Sequence, residues 1–208
     1  ILIQTQTQYI YRRSYKAVFY IYTIASRKLE RLSDGGTQQI PIWSPDGRQI
    51  AFVRDNNIYL VKLLYDNAES QVTKDGMFNK VINGAPDWVY EEEFAIVRTF
   101  DWNADGTQLA YIRFDERQVP EFSMDVYGTN LYPTQNTFKY PKAGENNSVV
   151  SLYLYDVNNQ KATKIPVEAY YIPRIQWSKE ANILSVQTLN RHQNDFNLIF
   201  VDANTKQF

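Results

Sequence analysis

Apolar and polar residues alternate along most of this chain, in short runs with a period of two. Residues 49–55 read QIAFVRD, 57–63 read NIYLVKL, 108–115 read QLAYIRFD and 151–157 read SLYLYDV. A period of two places successive side chains on opposite faces of a strand, and no long stretch keeps the 3.6-residue spacing of a helix. The strands recur in a pattern. IWSPDGR at 42–48 precedes one apolar strand, DWNADGT at 101–107 precedes another, and QWSKEANI at 176–183 precedes a third. Closing units follow at 19–32 (FYIYTIASRKLERL), 151–165 (SLYLYDVNNQKATKI) and 197–207 (NLIFVDANTKQ). Each unit predicts a Trp-bearing strand, a tight turn, an apolar strand, a third strand, a second turn and a fourth strand. The Asp-Gly and Asn-rich dipeptides supply the positive φ that such hairpins require.

Repeated four-stranded units predict an all-β chain that is part of a β-propeller. A β-sandwich is the competing architecture, but it gives no reason to repeat Trp-x-x-x-Gly ahead of equivalent strands. The spacings between the Trp residues exceed an ordinary blade. Two insertions between blade strands account for this, one at roughly 74–97 and one at roughly 115–148, with a short helix in the first. The units count as one partial blade, two nearly whole ones and a Trp-started one at the end, too few to close a ring. The first residues, ILIQTQTQYIYRRSY, alternate like the interior of a sheet protein. The chain is therefore expected to be a piece of a larger one.

Composition narrows the chemistry. With 208 residues, 44% of them hydrophobic and 15% aromatic, the chain can bury roughly 70% of its unfolded surface. The 22 basic and 23 acidic residues nearly cancel, so no basic field is available for nucleic acid or an anionic membrane. There are no cysteines, which excludes disulfides, thiol catalysis and thiolate metal sites. One histidine, His192, disfavours zinc and reads as a turn residue between blade strands. No metal or cofactor is expected.

The conspicuous departure from evenly mixed charge is DWVYEEEF at 87–94. Pro86 blocks extension backwards and Asp87 can cap a short helix running from Trp88. Glu91, Glu92 and Glu93 would then fan out by about 100° each, so only two neighbours can converge on one compact cation. Adjacent carboxylates repel unless a cation sits among them. Two readings stay open on these residues alone: a solvated acidic turn, or a site for an ammonium group. Calcium fits less well, because it needs about six to eight oxygens and no Asp-x-Asp spacing surrounds the stretch. A second candidate is YRRSY at 11–15, where two arginines within a strand would point to opposite faces. Arg12 and Arg13 are either a surface charge and a packed stem, or a guanidinium aimed at a carbonyl or carboxylate.

NGAPDWVYEEEF at 83–94, DWNADGTQLAYIRFDERQVPEFS at 101–123 and YPKAGENN at 140–147 together resemble the N-terminal propeller of dipeptidyl peptidase IV, of the prolyl oligopeptidase class of serine peptidases. The resemblance runs over essentially the whole chain. It implies about three to four blades of an eight-bladed propeller that sits over an α/β-hydrolase domain. It implies that Glu92 and Glu93 grip the free amino terminus of a peptide substrate, and that Arg12 binds the carbonyl of its penultimate residue. Glu91, Asp87 and Trp88 are implied as supporting neighbours. The family often has histidine where this chain has Arg13.

The implied function is the substrate-gating portion of a serine exopeptidase that releases X-Pro or X-Ala dipeptides. The alternative is a stand-alone propeller that binds other proteins. No Gly-x-Ser-x-Gly nucleophile motif is present in the chain. The Ser/Asp/His triad is therefore expected on an absent C-terminal hydrolase domain, leaving residues 1–208 as one propeller fragment without hydrolytic activity of its own. The implied partners are that domain and, through the aromatic-rich stretch 115–148, a second copy. The implied location is periplasmic or cell-surface in a bacterium. Asn146-Asn147-Ser148 is a glycosylation sequon of the kind that arises by chance.

Overall fold

The computed structural model describes residues 1–179 and 182–208. Glu180 and Ala181, within the QWSKEANI sequence of the last Trp repeat, lie outside the described residues. Four antiparallel sheets follow one another along the chain. The first holds β1 (Leu2–Tyr9), β2 (Tyr15–Thr23) and β3 (Lys28–Arg31). The second is a four-stranded meander of β4 (Gln39–Trp43), β5 (Gln49–Arg54), β6 (Asn57–Lys62) and β7 (Ala68–Gln71). The third combines β8 (Val81–Asn83), β9 (Phe100–Trp102), β10 (Gln108–Asp115), β13 (Val149–Asp156) and β14 (Lys161–Ile165). From it projects a two-stranded arm, β11 (Glu121–Val126) with β12 (Thr134–Lys139). The fourth sheet is β15 (Tyr171–Trp177), β16 (Ile183–Leu189) and β17 (Phe196–Asp202).

The period-two pattern is what stacks these sheets. In β5, Ile50 and Phe52 face the first sheet and join Ala17, Phe19, Ile21 and Leu32. Their neighbours Ala51 and Val53 face the third sheet and meet Phe100, Trp102, Leu109 and Tyr111. The middle strand β10 repeats the arrangement, with Leu109 and Tyr111 on the second sheet's side and Ala110, Ile112 and Phe114 on the fourth's. A strand covered on both faces reads apolar nearly throughout, as β5 and β10 do. The architecture is all-β, with sheets packed face to face like consecutive propeller blades.

The Trp repeat is a structural repeat. Trp43 pairs with Ile50, Trp102 with Leu109 and Trp177 with Leu184, the same offset each time. The turns close alike: Ser44, Asn103 and Ser178 each donate their N–H to the carbonyl of Gln49, Gln108 and Ile183. Gly47 and Gly106 occupy the left-handed region of these turns, at φ 70° and 67°.

Two expectations need correction. The first insertion does not lie between blade strands but interrupts one, the edge strand of the third sheet. β8 pairs with residues 113–115 of β10 and β9 with residues 109–111, so the two are halves of a single strand. The chain leaves the sheet at Gly84 and returns at Thr99. That neck is closed by Gly84 N–H to Ile112 O (3.1 Å), Ile112 N–H to Thr99 O (2.8 Å) and Thr99 N–H to Gly84 O (3.0 Å). Gly84 has φ 79°, and a Cβ there would meet the Ile58 side chain at 2.8 Å, so only glycine fits. The second correction concerns YRRSY. Residues 10–14 form an irregular connection between β1 and β2, not a strand, and Arg12 and Arg13 are both exposed.

Phe52 is fully buried between the first two sheets. Phe52→Ala should cost about 3–5 kcal/mol of unfolding free energy in urea denaturation. Tyr65→Ala, at an exposed ring, should stay within about 0.5 kcal/mol of wild type.

Candidate functional site

The looped-out residues 85–98 carry the one α-helix among the described residues, α1 (Trp88–Glu92). Five residues are too few for a stable isolated helix, so α1 depends on its anchors. Asp87 caps it, accepting the Tyr90 N–H at 2.9 Å. The second Asp87 oxygen accepts the Ser148 hydroxyl at 2.6 Å, which ties the helix start to the returning end of the arm. Trp88 sets its ring edge-on to Tyr140 at 4.4 Å, and Tyr140 packs in turn on Phe122 and Phe138. Tyr90 is buried against Phe94, Phe114 and Tyr171. Its hydroxyl accepts the Ile172 N–H of the fourth sheet at 2.8 Å.

The three glutamates end in three environments. Glu91 points inward and is 1% exposed. Its Oε1 accepts two backbone N–H groups from the β1–β2 connection, Arg13 at 2.7 Å and Ser14 at 2.8 Å. Glu92, with a side chain 15% exposed, pairs its Oε2 with Arg12 Nε at 3.1 Å. Glu93 is exposed, and its carboxylate makes no hydrogen bond or ion pair among the described residues. The structure thus brings Arg12, Glu91 and Glu92 together, with Glu93 next along the helix end. The Arg12 side chain is 73% exposed, so its ion pair is a weak surface one, worth about 0–1 kcal/mol, that a ligand can exchange for its own contacts. One guanidinium and two carboxylates leave a net negative charge, suited to a compact cation with hydrogen-bond donors.

The sequence matches the family described as dipeptidyl peptidase IV (DPP IV) N-terminal region over residues 1–208. This chain belongs to that family. The crystal structure of Porphyromonas gingivalis dipeptidyl peptidase 4 superposes with a TM-score of 0.95 and 47% identity, covering 99% of this chain and 30% of that one. A probable dipeptidyl peptidase 4 of Aspergillus fumigatus is 36% identical over 93% of this chain and 26% of its own length. A probable dipeptidyl-aminopeptidase B of Talaromyces marneffei is 34% identical over 93% of this chain and 24% of its own. The chain therefore spans about a quarter of the length of these curated relatives.

Residues around this DPP IV-type helix that the sequence reading passed over are held by tertiary contact. Ser148, Tyr90 and Asn147 are examples; Asn147 donates to the Tyr171 hydroxyl at 2.7 Å. The YPKAGENN motif and the overlapping sequon were the local signals for Asn147. Glu116 is another, 5% exposed and beside Asp87. Burial, reinforced by the charge of Asp87, pushes its carboxyl up to about 7, with Lys139 opposing. Burial raises Asp87 as well, against the hydrogen bonds from Ser148 and the helix backbone. Tyr11 is held above the ordinary phenol range by burial and by the charges of Glu116, Asp87 and Glu91.

Two outcomes follow. Glu91→Ala should lose roughly 2–4 kcal/mol of stability, because two N–H groups lose a charged acceptor, whereas Glu91→Gln keeps an acceptor oxygen and should lose less. Glu116 and Asp87 retain protons in the folded chain at pH values where the unfolded chain has released them. Unfolding free energy should therefore fall as pH rises from about 4 to about 8, by roughly 3 kcal/mol for Glu116. Denaturation of Glu116→Gln across that range should show a flatter profile.

Proposed function

We propose that this chain is the substrate-gating, N-terminus-recognising portion of a serine-type dipeptidyl peptidase that releases X-Pro or X-Ala dipeptides. The supporting observation is the convergence at α1. Glu92 and Arg12, far apart in sequence, meet at 3.1 Å, beside the unpaired carboxylate of Glu93. A peptide α-amine has a pKa near 8 and is mostly an ammonium at neutral pH. Glu92 and Glu93 hold it by charge-assisted hydrogen bonds, and Arg12 turns from Glu92 to the carbonyl of the penultimate residue. Fixing the amine fixes reach: two extended residues span about 7 Å, so the second peptide bond is the one presented for cleavage. A blocked amine would leave two carboxylates facing an uncharged group and lose that hold.

In this reading the nucleophile, its base and the oxyanion donors belong to a hydrolase domain of the same protein. Residues 1–208 then form one propeller segment that selects substrate and does no chemistry. The arm suits a homodimer, because Tyr127, Leu131 and Tyr132 near its tip are exposed. A periplasmic or cell-surface bacterial location is proposed on family grounds.

The test compares kcat/KM for free and N-acetylated Ala-Pro chromogenic substrates in the protein that carries this chain. We expect acetylation to lower the value by orders of magnitude. Glu92→Gln and Glu93→Gln should each do the same on the free substrate and have little further effect on the acetylated one. Equal cleavage of both substrates would overturn the reading.

A further inference from the structure

Behind α1 lies a cavity of about 350 Å³, bounded by the first three sheets. Tyr11, Ser14, Ile82, Ala85, Pro86 and Glu116 line it, with Met77 and Phe78 exposed beside it. Arg12, Glu92 and Glu93 take no part in its walls. Two buried polar side chains border it without partners. Ser14 Oγ is buried and makes no hydrogen bond among the described residues. Glu116 is 5% exposed, and its carboxylate makes no hydrogen bond or ion pair among the described residues. One nearby cation is committed elsewhere: Lys139 Nζ donates to the Val119 carbonyl at 2.8 Å and lies 3.5 Å from Glu121. Lys16 and Asp55 also line the cavity, both exposed and of opposite charge.

Burying a carboxylate with no partner is costly, and a hydroxyl left without one adds to that cost. A cation that donates hydrogen bonds relieves both. A metal ion would find too few oxygens, since no group of three or more His, Cys, Asp or Glu residues could hold one among the described residues. Ile10, Tyr11, Met77, Phe78, Ile82, Ala85 and Pro86 give part of the wall an apolar and aromatic character, which suits methylene groups and a π face toward a cation, while Thr37, Gln39, Asn56 and Asn79 make the other part polar. We propose that this cavity is a second cation site, taking a primary alkylammonium with Glu116 as counter-ion, Ser14 Oγ as acceptor and the apolar part of the wall around its chain. The site does not depend on the peptide-binding role of Glu92 and Glu93. It touches their support, because Ser14 N–H is one of the two donors to Glu91.

The test titrates n-pentylamine, with 1-pentanol as an uncharged probe of the same chain length, into the protein that carries this chain at pH 8. Calorimetry and thermal unfolding report binding. The amine should bind saturably and raise Tm in wild type and in the Glu92→Gln/Glu93→Gln double variant. Affinity should fall at least tenfold in Glu116→Gln and several-fold in Ser14→Ala, and pentanol should bind at least tenfold more weakly. Glu116→Gln removes a buried charge at nearly constant volume, and should it fail to fold, the loss in Ser14→Ala decides. Absence of amine binding, binding unchanged in Ser14→Ala or Glu116→Gln, or equal binding of pentanol would overturn the proposal. Loss of binding only in the Glu92/Glu93 double variant would overturn it too, placing the amine at the helix. If acetylated peptides were cleaved like free ones while the amine still bound through Glu116, this site would stand and the peptide-recognition reading would fall.

Discussion

A carboxylate withdrawn from water needs donors, and at this site the donors come from a different part of the chain. Glu91 accepts the N–H groups of Arg13 and Ser14, so the helix and the β1–β2 connection hold each other in place. Hydrogen bonds to a charged group are each worth about 1.5–3 kcal/mol, enough to fix two segments that have little regular structure of their own. Arg12 immediately precedes the donors and Glu92 immediately follows the acceptor. Their approach to 3.1 Å is thus a consequence of the anchor beneath them. The exposed pair is weak, while the buried contact next to it is strong. That division leaves the outer groups free to exchange partners without loss of position.

The same economy governs the rest of the helix. Asp87, Trp88, Tyr90 and Glu91 face four different supports: the end of the arm at Ser148, the arm's base at Tyr140, the fourth sheet at Ile172, and the β1–β2 connection. Only the end of the helix remains for a ligand. The insertion can hold such a site because it leaves and re-enters one strand across the Gly84–Thr99 neck, so sheet packing continues on both sides of it. A flexible loop between blades would have no comparable base.

Much of this was legible in the sequence because it rests on local chemistry. The alternation in QIAFVRD and QLAYIRFD announces strands covered on both faces, and Trp43, Trp102 and Trp177 occupy equivalent registers. Pro86 and Asp87 mark the start of the helix. The connection at 10–14 was misread because YIYRRSY alternates as a strand does. Its departure from strand geometry is visible only once Glu91 claims the N–H groups of Arg13 and Ser14. The ranking of the three glutamates was hidden for the same reason: spacing gives the fan of directions, and only tertiary packing decides which direction is inward. Neither the 101–123 motif that contains Glu116 nor the sequon that contains Ser148 signals their role, since their significance lies in burial beside Asp87.

The negative charge gathered around α1 suits a cation, and in the proposed reading the buried members of the set are structural while the outer ones meet the ligand. The most direct check of that division is amide hydrogen exchange at Arg13 and Ser14. Both amides should exchange slowly in wild type and in Glu92→Gln, and become fast in Glu91→Ala, with the amides of β5 unchanged in all three. Exchange at Arg13 and Ser14 that is the same in Glu91→Ala as in wild type would contradict the account, because something other than the Glu91 carboxylate would then be holding Arg12 in place.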